Sequence, residues 1–166
     1  MGPATAAGGS HREWSPRRAA LRPRAACKGN KMTQTTSYVL KLADGRDEPI
    51  KDLDGASRTI LIDEETVNAG EITFGHSRFE PRTSVHKKHR HPNAEEIMYI
   101  LSGRGVTGVN DQETVVAAGD TIWVPKGAVH WFSNPFDEPC EFVFLYTKSS
   151  LAKAAYELVA AERPHA

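Results

Sequence analysis

Three histidines and one glutamate between residues 89 and 130 have the types and spacings that a metal ion requires. His89 and His91 are one residue apart, Glu96 follows after four more, and His130 lies in a later block with Gly119, Pro125, Gly127 and Asn134. Residues i and i+2 of a strand share a face, so His89 and His91 present both imidazoles to one side, which helical geometry does not allow at that spacing. Glu96, Met98 and Ile100 share one face of the next run, while Ile97, Tyr99 and Leu101 share the other. His130 follows the turn-forming Pro125, Lys126 and Gly127 and opens a further strand. Imidazole nitrogens with a carboxylate oxygen suit Mn, Fe, Ni, Zn or Cu, and the lack of thiolates argues against structural zinc. One divalent transition metal on His89, His91, Glu96 and His130 is therefore expected, with Mn or Fe favoured if water completes a six-coordinate shell. Open coordination positions would admit the oxygen donors of a substrate.

The same residues resemble the two motifs of the cupin superfamily. The first motif, HxH with a glutamate four residues on and a glycine six further, matches His89, His91, Glu96 and Gly103. The second, GxxxxxPxGxxHxxxN, matches Gly119, Pro125, Gly127, His130 and Asn134 without a gap. The departure lies upstream, where Thr83 stands in place of a glycine and Pro81-Arg82 stands one residue early where Pro-Gly is usual. A one-residue insertion before His89 is expected there. The resemblance implies an all-β jelly-roll barrel, the double-stranded β-helix, and a homodimer. It also implies chemistry of the kind performed by cupin decarboxylases, isomerases, lyases and dioxygenases.

Strand parity extends the site outward. Phe132 shares the face of His130, and Met98, Ile100, Ile122 and Val124 join it as apolar walls of a substrate pocket. Lys87 shares the ligand face of its run, and a cation at the pocket mouth favours an anionic substrate such as a carboxylate. Lys87 otherwise belongs, with Arg82, Lys88 and Arg90, to a solvated charged edge. His86 points outward by the same count, unless a bulge near Arg82 reverses the parity and places it behind the ligands as a proton acceptor. Glu95 competes with Glu96, but parity turns Glu95 outward. His76 reads as structural, and Tyr99, Trp123 and Trp131 fall on outer faces suited to burial against a sheet or a second subunit.

The elements that must hold these residues are short strands at regular intervals, the pattern of a sandwich or barrel. Strand-like runs cover residues 37–42, 58–62, 71–79, 84–91, 96–101, 105–109, 113–117, 121–124, 130–133 and 140–147. Asn110-Asp111 makes a tight hairpin turn, and residues 44–54 a polar loop. Ser149 or Ser150 caps a C-terminal helix to about Glu162, with Leu151, Ala154, Ala155, Leu158 and Val159 as its apolar stripe. The barrel thus spans 32–148, and the helix with its tail 149–166.

Residues 1–31 carry seven basic side chains against one acid, a net of +6, so a chain neutral overall leaves −6 for the remainder. That first segment is expected to be a basic disordered tail, to precede a true start at Met32, or to be a transit peptide. A mildly acidic barrel argues against nucleic acid as a partner. Cys27 and Cys140 are unsuited to a structural disulfide, and no apolar run approaches membrane-spanning length. A cytoplasmic protein with a small-molecule substrate is expected. The leading function is Lewis-acid lyase, decarboxylase or isomerase chemistry on an oxygen-rich carboxylate or carbonyl compound. A metal-dependent dioxygenase and a non-catalytic ligand-binding or sensor barrel are the alternatives.

Overall fold

The structure, a computed structural model, describes residues 38–159. The basic segment 1–31, with Cys27 and the possible start at Met32, lies outside the described residues, as do Ser37 and residues 160–166. In chain order the strands are β1 (Arg46–Asp47), β2 (Ala56–Ile62), β3 (Thr73–Phe79), β4 (His89–Arg90), β5 (Glu96–Ser102) and β6 (Arg104–Val109). They continue as β7 (Gln112–Ala117), β8 (Thr121–Val124), β9 (His130–Ser133) and β10 (Cys140–Tyr146); α1 (Leu151–Ala154) and β11 (Glu157–Leu158) follow. Two antiparallel sheets result, one ordered β1-β2-β3-β10-β5-β8 and the other β11-β4-β9-β6-β7.

The core lies between the sheets because alternate side chains of each strand turn inward. Along β10, Cys140, Phe142, Phe144 and Tyr146 are buried while the residues between them are partly exposed. On the inner face of β5, Glu96, Met98 and Ile100 are buried and Ile97, Tyr99 and Leu101 are exposed. Phe79, Phe132 and Phe142 meet at ring-centroid separations of 4.9 to 5.6 Å and fill the space between the layers. Removing this apolar surface from water is the main stabilising term.

Motif residues that hold no ligand shape the turns. Gly103 takes φ +72°, and a Cβ there would collide with the Pro139 carbonyl. Asn134 is fully buried; its amide donates to the carbonyls of Phe79, Glu80 and Glu138 at 3.1, 3.1 and 2.7 Å, and its side-chain oxygen accepts from Phe136 N at 3.1 Å. It ties the segment after β9 to the end of β3.

Three expectations need correction. The run 37–42 forms no strand over its described part: Tyr38 and Val39 are exposed, Leu42–Asp44 is a 3-10 turn, and the sheet edge is β1, inside the segment read as a loop. Of 84–91, the ladder takes only His89–Arg90. Arg82, which stands where a glycine is usual, adopts φ +60°, and Thr83 bridges to Asn134, so the chain turns here and runs irregularly to His89. The C-terminal helix is present but stops at Ala154. Ser150 caps it, accepting from Lys153 N at 3.4 Å, and Ala155 leaves helical space at φ 62°, ψ 159°. Pairing of β11 with β4 outcompetes the amphipathic stripe, leaving Leu158 exposed.

Candidate metal centre

The four expected ligands come from both sheets. His89 on β4 faces His130 on β9 across one ladder, and His91 lies just past β4. Glu96 opens β5 in the opposing sheet. One nitrogen from each of His89, His91 and His130 lies within 4.8 Å of the others. All four residues are buried.

Each ring is held through its Nδ1. That atom lies 2.8 Å from Lys87 O in His89, 2.6 Å from Ala155 O in His91 and 3.2 Å from Ala128 O in His130, so the Nδ1–H donates to a carbonyl in each case. Such bonds fix the tautomer and leave the Nε2 lone pair free to ligate. Glu96 Oε2 approaches His130 Nε2 to 2.9 Å and His91 Nε2 to 3.6 Å. These three buried atoms have no aligned hydrogen-bond partner. Buried polar atoms are nearly always paired, so a convergence of nitrogens and oxygen left unpaired fits a metal ion.

Two of the three rings are held neutral, as ligation requires, while Glu96 favours the charged form of His130. Burial, reinforced by the charges of neighbouring rings, lowers His89 to about 2, and burial also lowers His91. Burial opposes charge on Glu96 and on His130 alike, but their mutual attraction prevails, holding Glu96 below its ordinary range and His130 above. Tyr146 lies opposite Glu96 in the β10–β5 ladder, and its hydroxyl donates to that carboxylate. Its ring also meets His91 edge-on at 4.8 Å. Burial, with the Glu96 charge beside it, pushes the Tyr146 hydroxyl well above its ordinary value.

Two adjoining spaces open from the centre. An inner cavity of about 30 Å³ is lined by Arg58, Ser77, Glu96, Met98, His130 and Phe132, among others. An outer cleft of about 290 Å³ is lined by Pro49, Ile50, Arg58, His86, His91 and Tyr156, among others. Ile50, Arg58, His86, His89 and Tyr146 border both.

Met98 and Phe132 thus reach the cavity as parity predicts. Ile100 and Val124 are core residues bordering neither space, and Ile122 lines a separate cleft with Thr107 and Val116, because the inner face of a strand continues past the site into the core. Lys87 borders neither space; it is exposed and pairs with Asp52 at 2.9 Å. The irregular chain after Arg82 breaks the alternation on which its placement depended. The same break turns His86 inward, contrary to the outward count, with its ring 4.5 Å from that of His89 and its Nε2 3.4 Å from the Tyr156 hydroxyl. Burial, then the charge of Arg58, lowers His86 to about 4. Glu95 is exposed, and His76 lies 3.2 Å from Glu141, away from the centre.

Among the lining residues not anticipated are Tyr146, Arg58 and Tyr156. Tyr146 is the polar end of the inward series Cys140, Phe142, Phe144, a signal readable from the sequence. Arg58 lies near the start of β2, before its apolar run of Ile60, Leu61 and Ile62. Tyr156 lies in the stretch misread as helix, and its ring stacks on His89 at 4.5 Å.

Jelly-roll sheets and a buried histidine cluster between them define the class, and residues 75–146 match the family model for the cupin domain. That match supports a cupin-superfamily domain over this stretch. The tetracenomycin polyketide synthase protein TcmJ of Streptomyces glaucescens is 28% identical over 111 residues, 67% of this chain and 73% of that protein. The polyketide cyclase RemF from Streptomyces resistomycificus shares the fold with a TM-score of 0.64 at 19% identity, over 78% of this chain and 90% of that one. A predicted oxalate decarboxylase from Thermotoga maritima shares it with a TM-score of 0.58 at 24% identity, over 66% of this chain and 98% of that one. No helix among the described residues is long and apolar enough to cross a membrane.

Proposed function

We propose that the protein is a metal-dependent enzyme acting on a small, oxygen-rich carboxylate or carbonyl compound by lyase, decarboxylase or isomerase chemistry. The observation that carries this reading is the convergence of His91 Nε2, His130 Nε2 and Glu96 Oε2, buried and without hydrogen-bond partners, beside His89. His89, His91, His130 and Glu96 would hold the ion; Mn or Fe is favoured if water completes a six-coordinate shell, and Ni, Zn or Cu also suit these donors. A bound ion would supply Lewis-acid stabilisation of charge developing on a substrate oxygen.

The chain's own residues do the rest. The carbonyls of Lys87, Ala128 and Ala155 orient the imidazoles, and Tyr146 orients Glu96. Phe132, Phe142 and Phe144 form an apolar wall of the inner cavity. At its mouth, His86 and Tyr156 form a pair able to exchange a proton with a substrate. His86, lowered to about 4, is neutral at neutral pH and presents its Nε2 beside the Tyr156 hydroxyl. This pair favours an enzyme over a sensor barrel.

Relatives named for oxalate and for polyketides support an oxygen-rich substrate. A second reading, a larger polycarbonyl substrate, is favoured by the outer cleft of about 290 Å³, which exceeds what a two-carbon acid fills. A homodimer is part of the proposal and is supported by the exposed Ile97, Tyr99, Leu101 and Trp123 on the outer side of β5 and β8.

The test is to load purified protein with Mn, Fe, Ni or Zn, measure bound metal, and screen oxo acids, dicarboxylates and polycarbonyl compounds with and without oxygen. Turnover that needs metal but no oxygen is expected. Oxygen uptake would select a dioxygenase, and protein that retains no metal would overturn the reading.

A further inference from the structure

We propose that Arg58 is the anion subsite of this pocket, receiving a substrate carboxylate remote from the end bound at the histidine cluster. The proposal rests on the metal-centre reading above and names the cation that makes the substrate anionic.

Six arginines fall within the described residues, and five of them have a carboxylate partner: Arg46 with Asp63, Arg78 with Glu80, Arg82 with Asp137, Arg90 with Glu157 and Arg104 with Glu138. Arg58 has none. Its Nε is buried without a hydrogen-bond partner, and its terminal nitrogen reaches only the Pro49 carbonyl, at a long 3.4 Å. A guanidinium offers five donors in a planar fork that matches a carboxylate, and leaving even one of them, here Nε, buried and unpaired is unfavourable. The arginine therefore lacks the partner its surroundings call for.

Its position shows where that partner would come from. Arg58 borders both the inner cavity and the outer cleft, as His89 does. Ser77, its neighbour across the β2–β3 ladder, also lines the inner cavity. Of the carboxylates nearby, Glu48 pairs with Arg46 and Asp52 with Lys87, while Glu96 faces His91 and His130. Of the two basic residues on the outer cleft, Lys51 borders that cleft alone, whereas Arg58 stands at the junction of the two spaces. The basic edge of Lys87, Lys88 and Arg90 does not serve this role, since Lys87 and Arg90 are paired outside the pocket. A ligand that fits both features carries an oxygen donor at one end and a carboxylate at the other.

The test uses full-length protein, Mn(II)-loaded and metal-stripped, with succinate and its monoamide succinamate as probes in titration calorimetry. Wild-type protein is expected to bind succinate at least about tenfold more tightly than succinamate, as charge-assisted pairing with an arginine predicts. Arg58→Gln should bring that ratio close to one while leaving bound Mn and succinamate affinity unchanged. Arg58→Lys should keep part of the preference, since it keeps the charge but loses the fork. A ratio unchanged in Arg58→Gln, or a wild-type protein that shows no preference for the diacid, overturns the proposal. Failure of the metal reading is separate: protein that binds no Mn but keeps an Arg58-dependent preference would sustain the anion subsite and remove the metal.

Discussion

His91 donates its Nδ1–H to the carbonyl of Ala155 at 2.6 Å, so a ligand ring of the candidate metal centre is oriented by the segment that follows the last helix. The same segment pairs Leu158 with His89 and Glu157 with Arg90, and Val159 N donates to Lys88 O at 3.0 Å. Two of the three histidines are thus braced by a strap remote in sequence. Ending the chain at Ala154 should weaken metal affinity by roughly 10- to 100-fold, the usual effect of removing a group that orients a ligand. Competition against a chromogenic chelator measures this, and an unchanged affinity would show that the strap does not hold the rings.

Ala155 reaches that position at a conformational cost. Its φ of 62° with ψ of 159° lies in a region that is essentially glycine's alone, and an alanine there stores about 1–3 kcal/mol. Part of the relief from Ala155→Gly is offset by the greater entropy of an unfolded glycine. The variant should be more stable by about 1 kcal/mol in urea unfolding. It should still bind metal, because the carbonyl that His91 uses is a backbone group. A loss of stability would mean that the segment is not strained.

Glu95 and Glu96 are adjacent in sequence and opposite in environment. Glu96 Oε2 is buried within 3.6 Å of two histidine nitrogens, whereas the Glu95 side chain is exposed. Glu96→Gln should lower metal affinity by more than about tenfold, since it removes the anionic donor. Glu95→Gln should leave affinity within about twofold. Equal effects in the chelator assay would refute the assignment of the ligand face.

Tyr146→Phe removes one hydroxyl and keeps the ring against His91. Glu96 then loses the donor that holds its carboxylate. Metal affinity should fall by roughly 10- to 100-fold with little change in fold, by the same argument as for other groups that orient a ligand. Circular dichroism beside the metal titration separates the two effects; an affinity equal to that of the wild type would remove Tyr146 from the site.

Much of this architecture was legible because it follows from local periodicity. The i, i+2 rule placed Glu96, Met98 and Phe132 correctly, since β5 and β9 are regular strands buried on one face. It failed for Lys87 and His86, where Arg82 at φ +60° ends the regular chain and no alternation survives to His89. It also could not show how far a face serves the pocket before it becomes core, which is why Ile100, Ile122 and Val124 were misplaced. Residues 151–159 carry a helical stripe, yet the pairing of β11 with β4 and the Ala155 carbonyl bonded to His91 decide their conformation. Such long-range partners are invisible to a pattern read along the chain. Arg58 shows the same limit: that it pairs with no carboxylate among the described residues is not visible along the chain.

The histidines at the pocket should make the metal-free protein acid-sensitive. His86 is lowered to about 4, chiefly by burial, and His89 to about 2. Both titrate near 6.5 when unfolded, so below about 6.5 the unfolded chain takes up protons that the folded protein refuses. Stability must then rise with pH in this window and fall on acidification. His86 contributes from about 6.5 down to about 4, where its folded ring also protonates, and its share is on the order of 3 kcal/mol. His130 acts in the opposite sense, because its raised pKa favours the folded state on acidification. Comparison with His86→Gln isolates one ring from that background. In chelator-treated protein, urea midpoints between pH 7.5 and 4.5 should fall less steeply in the variant than in the wild type. Parallel profiles would show that His86 is not held neutral by burial, and with that the proton-exchanging pair with Tyr156 would lose its basis.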